Sequence, residues 1–234
     1  MTISFEKSIK EYGKKNGADL IGIAPAERFK QAPKGFKPSD ILPGAQSVIV
    51  MGMAFPKGAL TCHSKPSITK TYHTIFDLLD ACAYTLSCFI EQAGYDTVPV
   101  PADQPYFSWD EASQQGKGDL SHKHAAVLAG LGSLGKNSLL LSPEYGNRVN
   151  LVSVVTSAPL EGDSPLTESL CLEKCNLCIK SCPAQAIQEN GTVIQRDCRK
   201  FHHMKTPRRF HLFSCWKCRA VCPVKGTKAD KVGE

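Results

Sequence analysis

The sequence predicts an α+β domain over residues 1–164, followed by a small cysteine-rich module over residues 165–234. The first part alternates apolar, strand-like runs with amphipathic helical patterns. Eight of the eleven cysteines lie after residue 170, and a segment with Pro and Gly, residues 161–166, separates the two parts. The order of elements and the clustered cysteines together indicate two units of different chemistry.

The composition is that of an ordinary globular protein. At 234 residues and 42% hydrophobic content, the chain is long enough to bury a sizeable core. No apolar run approaches the length of a membrane span, and the charged start MTISFEKSIKEYGKKNG lacks the apolar stretch of a signal peptide. We therefore expect a cytoplasmic protein with no membrane partner.

Hydrophobic periodicity predicts the elements of the first part. The predicted helices are 2–16, 69–93 and 121–129. The predicted strands are 18–26, 47–55, 96–100, 139–142 and 149–160. The strand at 47–55 is apolar nearly throughout, so both its faces are expected to be covered.

Two further features belong to this part. Cys82 and Cys88 occupy apolar positions of the longest helix and are predicted to be small core residues. Residues 101–121, with two prolines and two glycines, predict a long loop, and loops of that length are usually functional or mobile.

The eight later cysteines form two motifs. CLEKCNLCIKSCP (171–183) is C-x3-C-x2-C-x3-C-P, and CWKCRAVCP (215–223) is C-x2-C-x3-C-P. In double-cluster ferredoxins, closely spaced cysteines hold one [4Fe-4S] cluster, and the cysteine that precedes Pro ligates the other. The predicted ligands of the first cluster are Cys171, Cys175, Cys178 and Cys222. The predicted ligands of the second cluster are Cys182, Cys198, Cys215 and Cys218.

The motifs depart from the common pattern in two places. The first spacing is three residues instead of two, and sixteen residues separate Cys198 from Cys215. Two Cys₄ zinc sites are the alternative, because such sites also use C-x2-C pairs. The two Cys-Pro endings, each preceded by a three-residue step, favour the clusters.

Positive charge is concentrated in the cysteine module. Residues 165–234 contain 13 Lys and Arg against 6 Asp and Glu, whereas residues 1–164 contain 15 against 16. A net charge of +7 suggests nucleic acid, but two clusters with four thiolates each bring roughly −4 to the same region. Most of the basicity can therefore balance the cofactor.

The segment 199–214, RKFHHMKTPRRFHLFS, is the most basic part of the module. It contains five Lys or Arg, three His and no acidic residue. It can be a docking surface for an anionic substrate or a small acidic electron donor, or a solvated loop that offsets cluster charge. The charge balance favours the solvated loop, and the other interpretation stays open.

The stretch from Gly130 to Gly135 spells G-x-G-x-x-G, but its context excludes a dinucleotide site. A Rossmann fingerprint follows a strand and opens a helix, whereas here a predicted helix precedes the glycines and a strand follows. The Walker A interpretation fails as well, because Asn137 replaces the Ser or Thr that would hold Mg²⁺. A tight glycine turn remains, whose backbone could approach a large cofactor closely.

Residues 122–160, HKHAAVLAGLGSLGKNSLLLSPEYGNRVNLVSVVTSAPL, run directly into the cysteine module. This combination resembles the epoxyqueuosine reductases and, more distantly, the reductive dehalogenases. GADLIGIAPAERF and ILPGAQSVIVMGMAF also resemble the start of the former family. The resemblance implies a nitroreductase/flavin-reductase-like domain that binds base-off cobalamin, followed by a bacterial-ferredoxin-like double-cluster module.

The resemblance also implies which residues lie near the corrinoid. They come from the glycine turn, with the strand end Ser153–Ser157 as a further candidate. The implied cofactor-binding residues of the turn are Gly130, Leu131, Gly132, Gly135, Lys136 and Asn137.

Three departures from these families shape the expected substrate. Epoxyqueuosine reductases continue into a helical-repeat segment that helps to hold tRNA, whereas this sequence ends soon after Cys222. The acid that they carry before the glycine turn corresponds here to Gly116. Reductive dehalogenases typically carry a twin-arginine signal, and none is present. We therefore expect a cytoplasmic paralogue that acts on a small or corrinoid-linked molecule and not on tRNA.

A reductase of this kind needs a proton source of suitable pKa. His122 is the predicted catalytic candidate, although a helix-capping or positioning role is the favoured alternative for it. Asp119, His124, Tyr106 and Asp110 are further candidates. The adjacent Cys62 and His63 are expected to be incidental.

Three functions fit the sequence. The first is a redox enzyme in which two [4Fe-4S] clusters deliver single electrons to a bound corrinoid. The second is a non-enzymatic electron-transfer or corrinoid-reactivating partner, and the third is a reductase that holds FMN on the same fold. A ferredoxin or flavodoxin is the expected electron donor, and a homodimer stays open.

Overall fold

The computed structural model describes residues 3–106, 108–111 and 115–229. Its helices are α1 (Phe5–Lys15), α2 (Pro38–Ile41), α3 (Lys65–Glu91), α4 (His122–Leu128), α5 (Leu177–Ser181), α6 (Gln195–His202) and α7 (Lys217–Ala220). Its strands are β1 (Leu20–Pro25), β2 (Ser47–Ala54), β3 (Thr97–Val100), β4 (Ser108–Asp110), β5 (Gln115–Lys117), β6 (Ser133–Leu134), β7 (Leu140–Leu141), β8 (Val149–Thr156), β9 (His203–Lys205) and β10 (His211–Phe213).

A four-stranded sheet forms the centre of the first part, in the order β1-β2-β8-β3. All its pairings are antiparallel, with Leu20 opposite Gly52 and Ser47 opposite Thr156. Helices pack on this antiparallel sheet, so the predicted α+β class is confirmed at this level. β8 lies between β2 and β3, although it is the last of the four strands in the sequence.

Both faces of the sheet are covered, as the apolar pattern of 47–55 predicts. On one face, Leu79 and Leu86 of α3 belong to the same buried cluster as Ile49 of β2. On the other face, Ala125 and Ala126 of α4 pack with the neighbouring strand residues. Side chains that alternate along a strand enter opposite layers, and here both layers are apolar.

The helix predicted at 69–93 begins earlier than expected, at Lys65, because Ser64 caps it and accepts a hydrogen bond from the backbone N–H of Ser67. Of its two cysteines, Cys82 is buried in the core as predicted, whereas Cys88 is only half-buried. Residue 2 of the first predicted helix lies outside the described residues.

Two segments predicted as loops contain regular structure. Within 101–121, β4 and β5 form a short antiparallel ladder. Within 199–214, α6 ends at His202, and β9 and β10 form a hairpin with His203 opposite Phe213. The base of the hairpin is fixed to α3, because the Phe213 N–H donates to Thr69 Oγ1 at 2.8 Å. Its anchorage depends on a contact 144 residues away in sequence, which local patterns do not report.

The segment predicted as a linker, 161–166, is tied to the first part. Asp163 Oδ2 accepts a hydrogen bond from the Ile23 N–H at 2.9 Å, and Asp163 also pairs with Lys10. The division at residues 164 and 165 stays a prediction. Within the described part of the chain, no helix combines the length and the apolar character needed to cross a bilayer.

Candidate metal centres and cofactor cleft

The structure brings the eight later cysteines together in two groups of four. The first group is Cys171, Cys175, Cys178 and Cys222, which line one small cavity. The second group is Cys182, Cys198, Cys215 and Cys218, which line one larger cleft. Each group combines three cysteines from one stretch with the Cys-Pro cysteine of the other motif.

Two short helices produce this crossing. α5 carries Cys178 and ends just before Cys182, while α7 carries Cys218 and ends shortly before Cys222. α5 and α7 pack against each other. The backbone of each motif therefore leaves its own cysteine group where its short helix ends. The last cysteine of each motif joins the other group.

The electrostatics of the thiols suit a multiply charged metal centre. Burial, reinforced by neighbouring cysteines, raises the pKa of Cys178, Cys198 and Cys222. Burial raises the pKa of Cys218 to about 11, although nearby Arg219 opposes the effect. Four buried thiols can lose their protons together only when nearby positive charge offsets the repulsion between the thiolates and the cost of burying their charge. The donor set therefore fits an iron–sulfur cluster at each group.

Over residues 3–106, 108–111 and 115–229, no three His, Cys, Asp or Glu side chains converge on the position of a single metal ion. A cubane differs from such a site because its four thiolates bind separate corners.

The glycine turn fixes the first part of the chain to both cysteine motifs. Lys136 Nζ donates to the carbonyl oxygens of Glu173 at 2.6 Å and Cys175 at 2.9 Å. The buried Asn137 donates from Nδ2 to the Cys218 carbonyl oxygen at 3.3 Å. Lys136 and Asn137 were predicted to lie near a corrinoid, and the structure places them against the cysteine loops.

The glycines of the turn are close to the protein's own backbone. A Cβ on Gly132 would lie 2.1 Å from the Leu141 carbonyl oxygen, and one on Gly130 would lie 2.4 Å from the Ser164 carbonyl oxygen. Gly130 also has a positive φ of 73°, a conformation that favours glycine. These backbone contacts explain why both positions need glycine, whether or not a ligand binds nearby. The contact of the two glycines with the corrinoid stays a prediction.

A cleft opens between the turn and the second cysteine group. This cofactor cleft has a volume of about 750 Å³, and Lys123, His124, Leu134 and Ser138 contribute to its lining. Burial lowers the pKa of both Lys123 and His124. The lining from the first part of the chain therefore combines apolar side chains such as Leu134 with polar ones such as Lys123, His124 and Ser138.

The cofactor cleft continues into an outer cleft of about 930 Å³. The two share six lining residues, which are Tyr72, Phe76, Val193, Gln195, Cys198 and His202. Tyr106 and Trp109 form the far wall of the outer cleft. Arg199 lies over the Trp109 ring at 4.6 Å and over the Tyr106 ring at 5.8 Å.

His122, the predicted catalytic candidate, is held inside the protein. Its Nε2 donates to the Pro101 carbonyl oxygen at 2.9 Å, which leaves Nδ1 to accept from Ser153 Oγ at 2.8 Å. Burial lowers the pKa of His122 and favours its neutral form. This arrangement suits a positioning residue, because both ring nitrogens are already bonded.

The other candidates for a proton source lie in different surroundings. Tyr106 faces the outer cleft, donates to Asp103 Oδ1 at 3.2 Å, and has its pKa raised by burial. His124 lines the cofactor cleft, with its Nδ1 2.7 Å from Ser121 Oγ. Asp119 is half-buried, and Asp110 is exposed on β4.

Sequence reasoning missed the part played by the basic segment 199–214 in the cleft. Arg199, His202, His203 and His211 line the outer cleft, together with residues of the 101–121 segment. The sixteen-residue spacing before Cys215 was a signal of an inserted structure, but its anchorage on α3 depends on distant contacts.

No family model matches the sequence. The chain is 28% identical over 264 residues to the epoxyqueuosine reductase of Staphylococcus aureus and 26% identical over 266 residues to that of Bacillus subtilis. These alignments cover 95% of this chain and 65% and 64% of the two relatives. The chain is similar to the epoxyqueuosine reductases over nearly all of its own length. It spans about two thirds of the length of the curated relatives it matches.

Solved structures share the fold. An epoxyqueuosine reductase structure with an epoxyqueuosine-modified tRNA-Tyr stem loop superposes with a TM-score of 0.66 at 23% identity, covering 94% of this chain and 64% of that one. A reductive dehalogenase structure, interpreted in terms of B12-dependent dehalogenation, superposes with a TM-score of 0.70 at 22% identity, covering 95% and 32%. The predicted resemblance is confirmed.

The expected partners need correction. The prediction of a small-molecule substrate and of no tRNA is wrong, because a structure similar to this chain is that of an epoxyqueuosine reductase with a tRNA stem loop. The expectation depended on where the sequence ends and on Gly116. Neither feature describes what the matched region itself can bind. The FMN alternative gains no support from these relatives.

Proposed function

We propose that this chain is an iron–sulfur- and cobalamin-dependent reductase that acts on a modified nucleoside carried by RNA. When bound, the clusters supply single electrons and the cobalamin supplies a strongly reducing cobalt centre. The relatives named as epoxyqueuosine reductases and the structure with a tRNA stem loop support this class of substrate.

The crossing of the two cysteine groups is the observation that carries the proposal. Cys171, Cys175, Cys178 and Cys222 would hold one [4Fe-4S] cluster. Cys182, Cys198, Cys215 and Cys218 would hold the other. The second group lines the cofactor cleft directly, so its cluster would be the nearer one to a cofactor bound there.

At the finer level, we propose a nitroreductase/flavin-reductase-like domain over residues 1–164 and a bacterial-ferredoxin-like module over residues 165–234. The antiparallel sheet with helices on both faces supports the first. The two short helices that exchange their last cysteines support the second.

The cofactor cleft is the proposed site of base-off cobalamin. Pockets for drug-sized ligands occupy about 300–1,000 Å³. The cofactor cleft of about 750 Å³ opens into another of about 930 Å³, which gives room for a larger group. Leu134 and His124 of the first part and Cys198 of the later part all line the cofactor cleft.

Tyr106 is the proposed proton source. Its phenol is protonated near neutral pH, burial raises its pKa further, and its side chain lines the outer cleft. Gly116, the position of the missing acid, lies against it, because a Cβ there would be 3.3 Å from the Tyr106 ring. The tyrosine therefore lies beside the position that the acid would occupy. His122 would position the loop at Pro101 and would not itself transfer a proton.

Anaerobic reconstitution with iron, sulfide and hydroxocobalamin tests the proposal. We expect two clusters by electron paramagnetic resonance, cobalt that co-elutes in gel filtration, and reduction of an epoxyqueuosine-containing RNA stem loop followed by mass spectrometry. Cobalt retention without turnover of this RNA would indicate an electron-transfer partner instead, and failure to retain cobalt would refute the cofactor.

Tyr106→Phe tests the proton source in the same assay. Turnover should fall about 100-fold, within the usual range for general acid catalysis, with cluster and cobalt content unchanged. Tyr84→Phe is the matched control, because Tyr84 is 64% exposed on α3. Equal turnover by the two variants would show that the proton comes from another group.

A further inference from the structure

The β9–β10 hairpin ends in an exposed basic tip. Lys205, Arg208, Arg209 and Phe210 are all exposed, and the Phe210 side chain retains 65% of its accessible surface. Within the described parts of the chain, Lys205, Arg208 and Arg209 form no ion pair. The tip therefore presents three free cations beside one solvated aromatic ring.

The base of the hairpin is fixed by ring packing and a hydrogen bond, and it places the tip beside the outer cleft. Phe213 packs on Tyr72 with ring centroids 4.6 Å apart, and the Ser214 N–H donates to the His202 carbonyl oxygen at 2.8 Å. His211 lines the outer cleft, and Lys205 lies directly opposite His211 in the ladder. Directly opposed residues of a ladder share a face, so Lys205 lies on the face that borders the cleft.

The tip is closed by its own hydrogen bonds. Thr206 accepts from the Arg209 N–H at 2.8 Å and donates its N–H to the Phe210 carbonyl oxygen at 2.9 Å. Arg209 has a φ of 64°, in the left-handed region that glycine or asparagine usually occupies. An arginine at this position costs stability, and this turn geometry alone gives no reason for it.

We propose that the hairpin tip binds RNA, with Arg208, Arg209 and Lys205 on backbone phosphates and Phe210 stacked on an unpaired base. Exposed arginines beside an aromatic ring form the usual combination for single-stranded or loop RNA, whereas an acidic protein partner needs only the charge. Trp109 and Tyr106 add two aromatic rings to the lining of the outer cleft, which His211 of the hairpin also lines. This inference rests on the proposed function and assigns its RNA-binding surface.

The test measures binding of a fluorescently labelled, unmodified tRNA anticodon stem loop to the reconstituted protein over a range of salt concentrations. In Arg208→Gln/Arg209→Gln, losing two phosphate contacts should make the log–log salt dependence shallower by about 1.4. This corresponds to roughly tenfold weaker binding near 0.15 M salt. In Phe210→Ala, binding should weaken by about fivefold to 150-fold with the salt dependence unchanged, because stacking involves no counterion release.

Lys14→Gln/Lys15→Gln is the matched control, because it removes two exposed charges from the last turn of α1. It should bind RNA as the unaltered protein does. Cluster absorbance and thermal unfolding of each variant report whether the fold is kept.

Two outcomes would overturn the inference. One is that Arg208→Gln/Arg209→Gln binds RNA with the same affinity and the same salt dependence as the unaltered protein. The other is unchanged RNA binding with slower reduction of the clusters by an acidic ferredoxin, which would assign the tip to the electron donor. The two proposals can also fail separately. If the tip variants lose RNA binding but the unaltered protein does not reduce the epoxyqueuosine RNA, the RNA-binding surface is supported and the proposed function is refuted.

Discussion

Replacing Lys136 by methionine would remove the ammonium group that ties the glycine turn to the first cysteine loop. Its Nζ donates to two carbonyl oxygens of that loop, at 2.6 and 2.9 Å. Methionine keeps a side chain of similar length but cannot donate. The loop would then keep its cysteines but lose the clamp that holds them beside the turn.

The cost follows from the two bonds. A hydrogen bond to a charged group contributes about 1.5–3 kcal/mol when it is well shielded. Lys136 is half-buried and its acceptors are partly exposed, so about 1 kcal/mol for each bond is the appropriate size. A total of about 2 kcal/mol corresponds to roughly thirtyfold in the equilibrium between closed and open loop.

Iron release to an excess of chelator, followed anaerobically by absorbance, measures this opening. Lys136→Met should release iron from the cluster of Cys171, Cys175, Cys178 and Cys222 roughly thirtyfold faster than the unaltered protein. Lys174→Met is the control, because Lys174 is an exposed lysine between two of these ligands and makes no hydrogen bond or ion pair within the described residues. Equal rates in the two variants would refute the clamp and leave only a general charge effect.

Three further predictions follow from the same structure. Cys182→Ser and Cys222→Ser should each perturb the cluster whose other three ligands belong to the opposite motif, as measured by electron paramagnetic resonance. Loss of only the cluster held by the cysteine's own motif would contradict the crossing. Gly132→Ala should destabilise the protein in urea by about 1–3 kcal/mol, because its Cβ would meet a backbone carbonyl oxygen at 2.1 Å, whereas Gly58→Ala, with open space around it, should cost far less. Burial lowers the pKa of His202 to about 3, so as the pH falls this histidine is protonated in the unfolded chain before it is protonated in the folded one. The free energy of unfolding should therefore decrease as the pH drops below about 6.5. His202→Phe should show a smaller loss between pH 7 and pH 5 by thermal unfolding.

Some features could be predicted because their signals are local in the sequence. The apolar run in 47–55 requires burial on both faces, and β2 is buried as expected. The predicted helix before the glycines and the predicted strand after them exclude a nucleotide-binding loop, and the structure has α4 and β7 in those places, with β6 inside the glycine stretch. Periodicity and turn chemistry act over a few residues, so a single sequence reports them.

Other features depended on contacts between distant residues. The position of β8 between β2 and β3 follows from which apolar faces fit together. Lys136 and Asn137 were expected beside a cofactor, and their bonds to loops about 40 and 80 residues away became visible only in three dimensions. Both ring nitrogens of His122 are likewise bonded to partners 21 and 31 residues away, which supports the interpretation of this side chain as a positioning residue.

The sequence by itself carries the prediction of two iron–sulfur clusters, because thiolate number and spacing limit which metals can be bound. It also determined the buried strands, through the pattern of apolar residues. Only the tertiary structure decided what surrounds those centres. The fold brings Arg199 against Trp109, Lys136 against the first cysteine loop, and a basic hairpin beside the outer cleft. Each of these contacts joins residues far apart in the chain, and only packing of the whole fold brings such residues together.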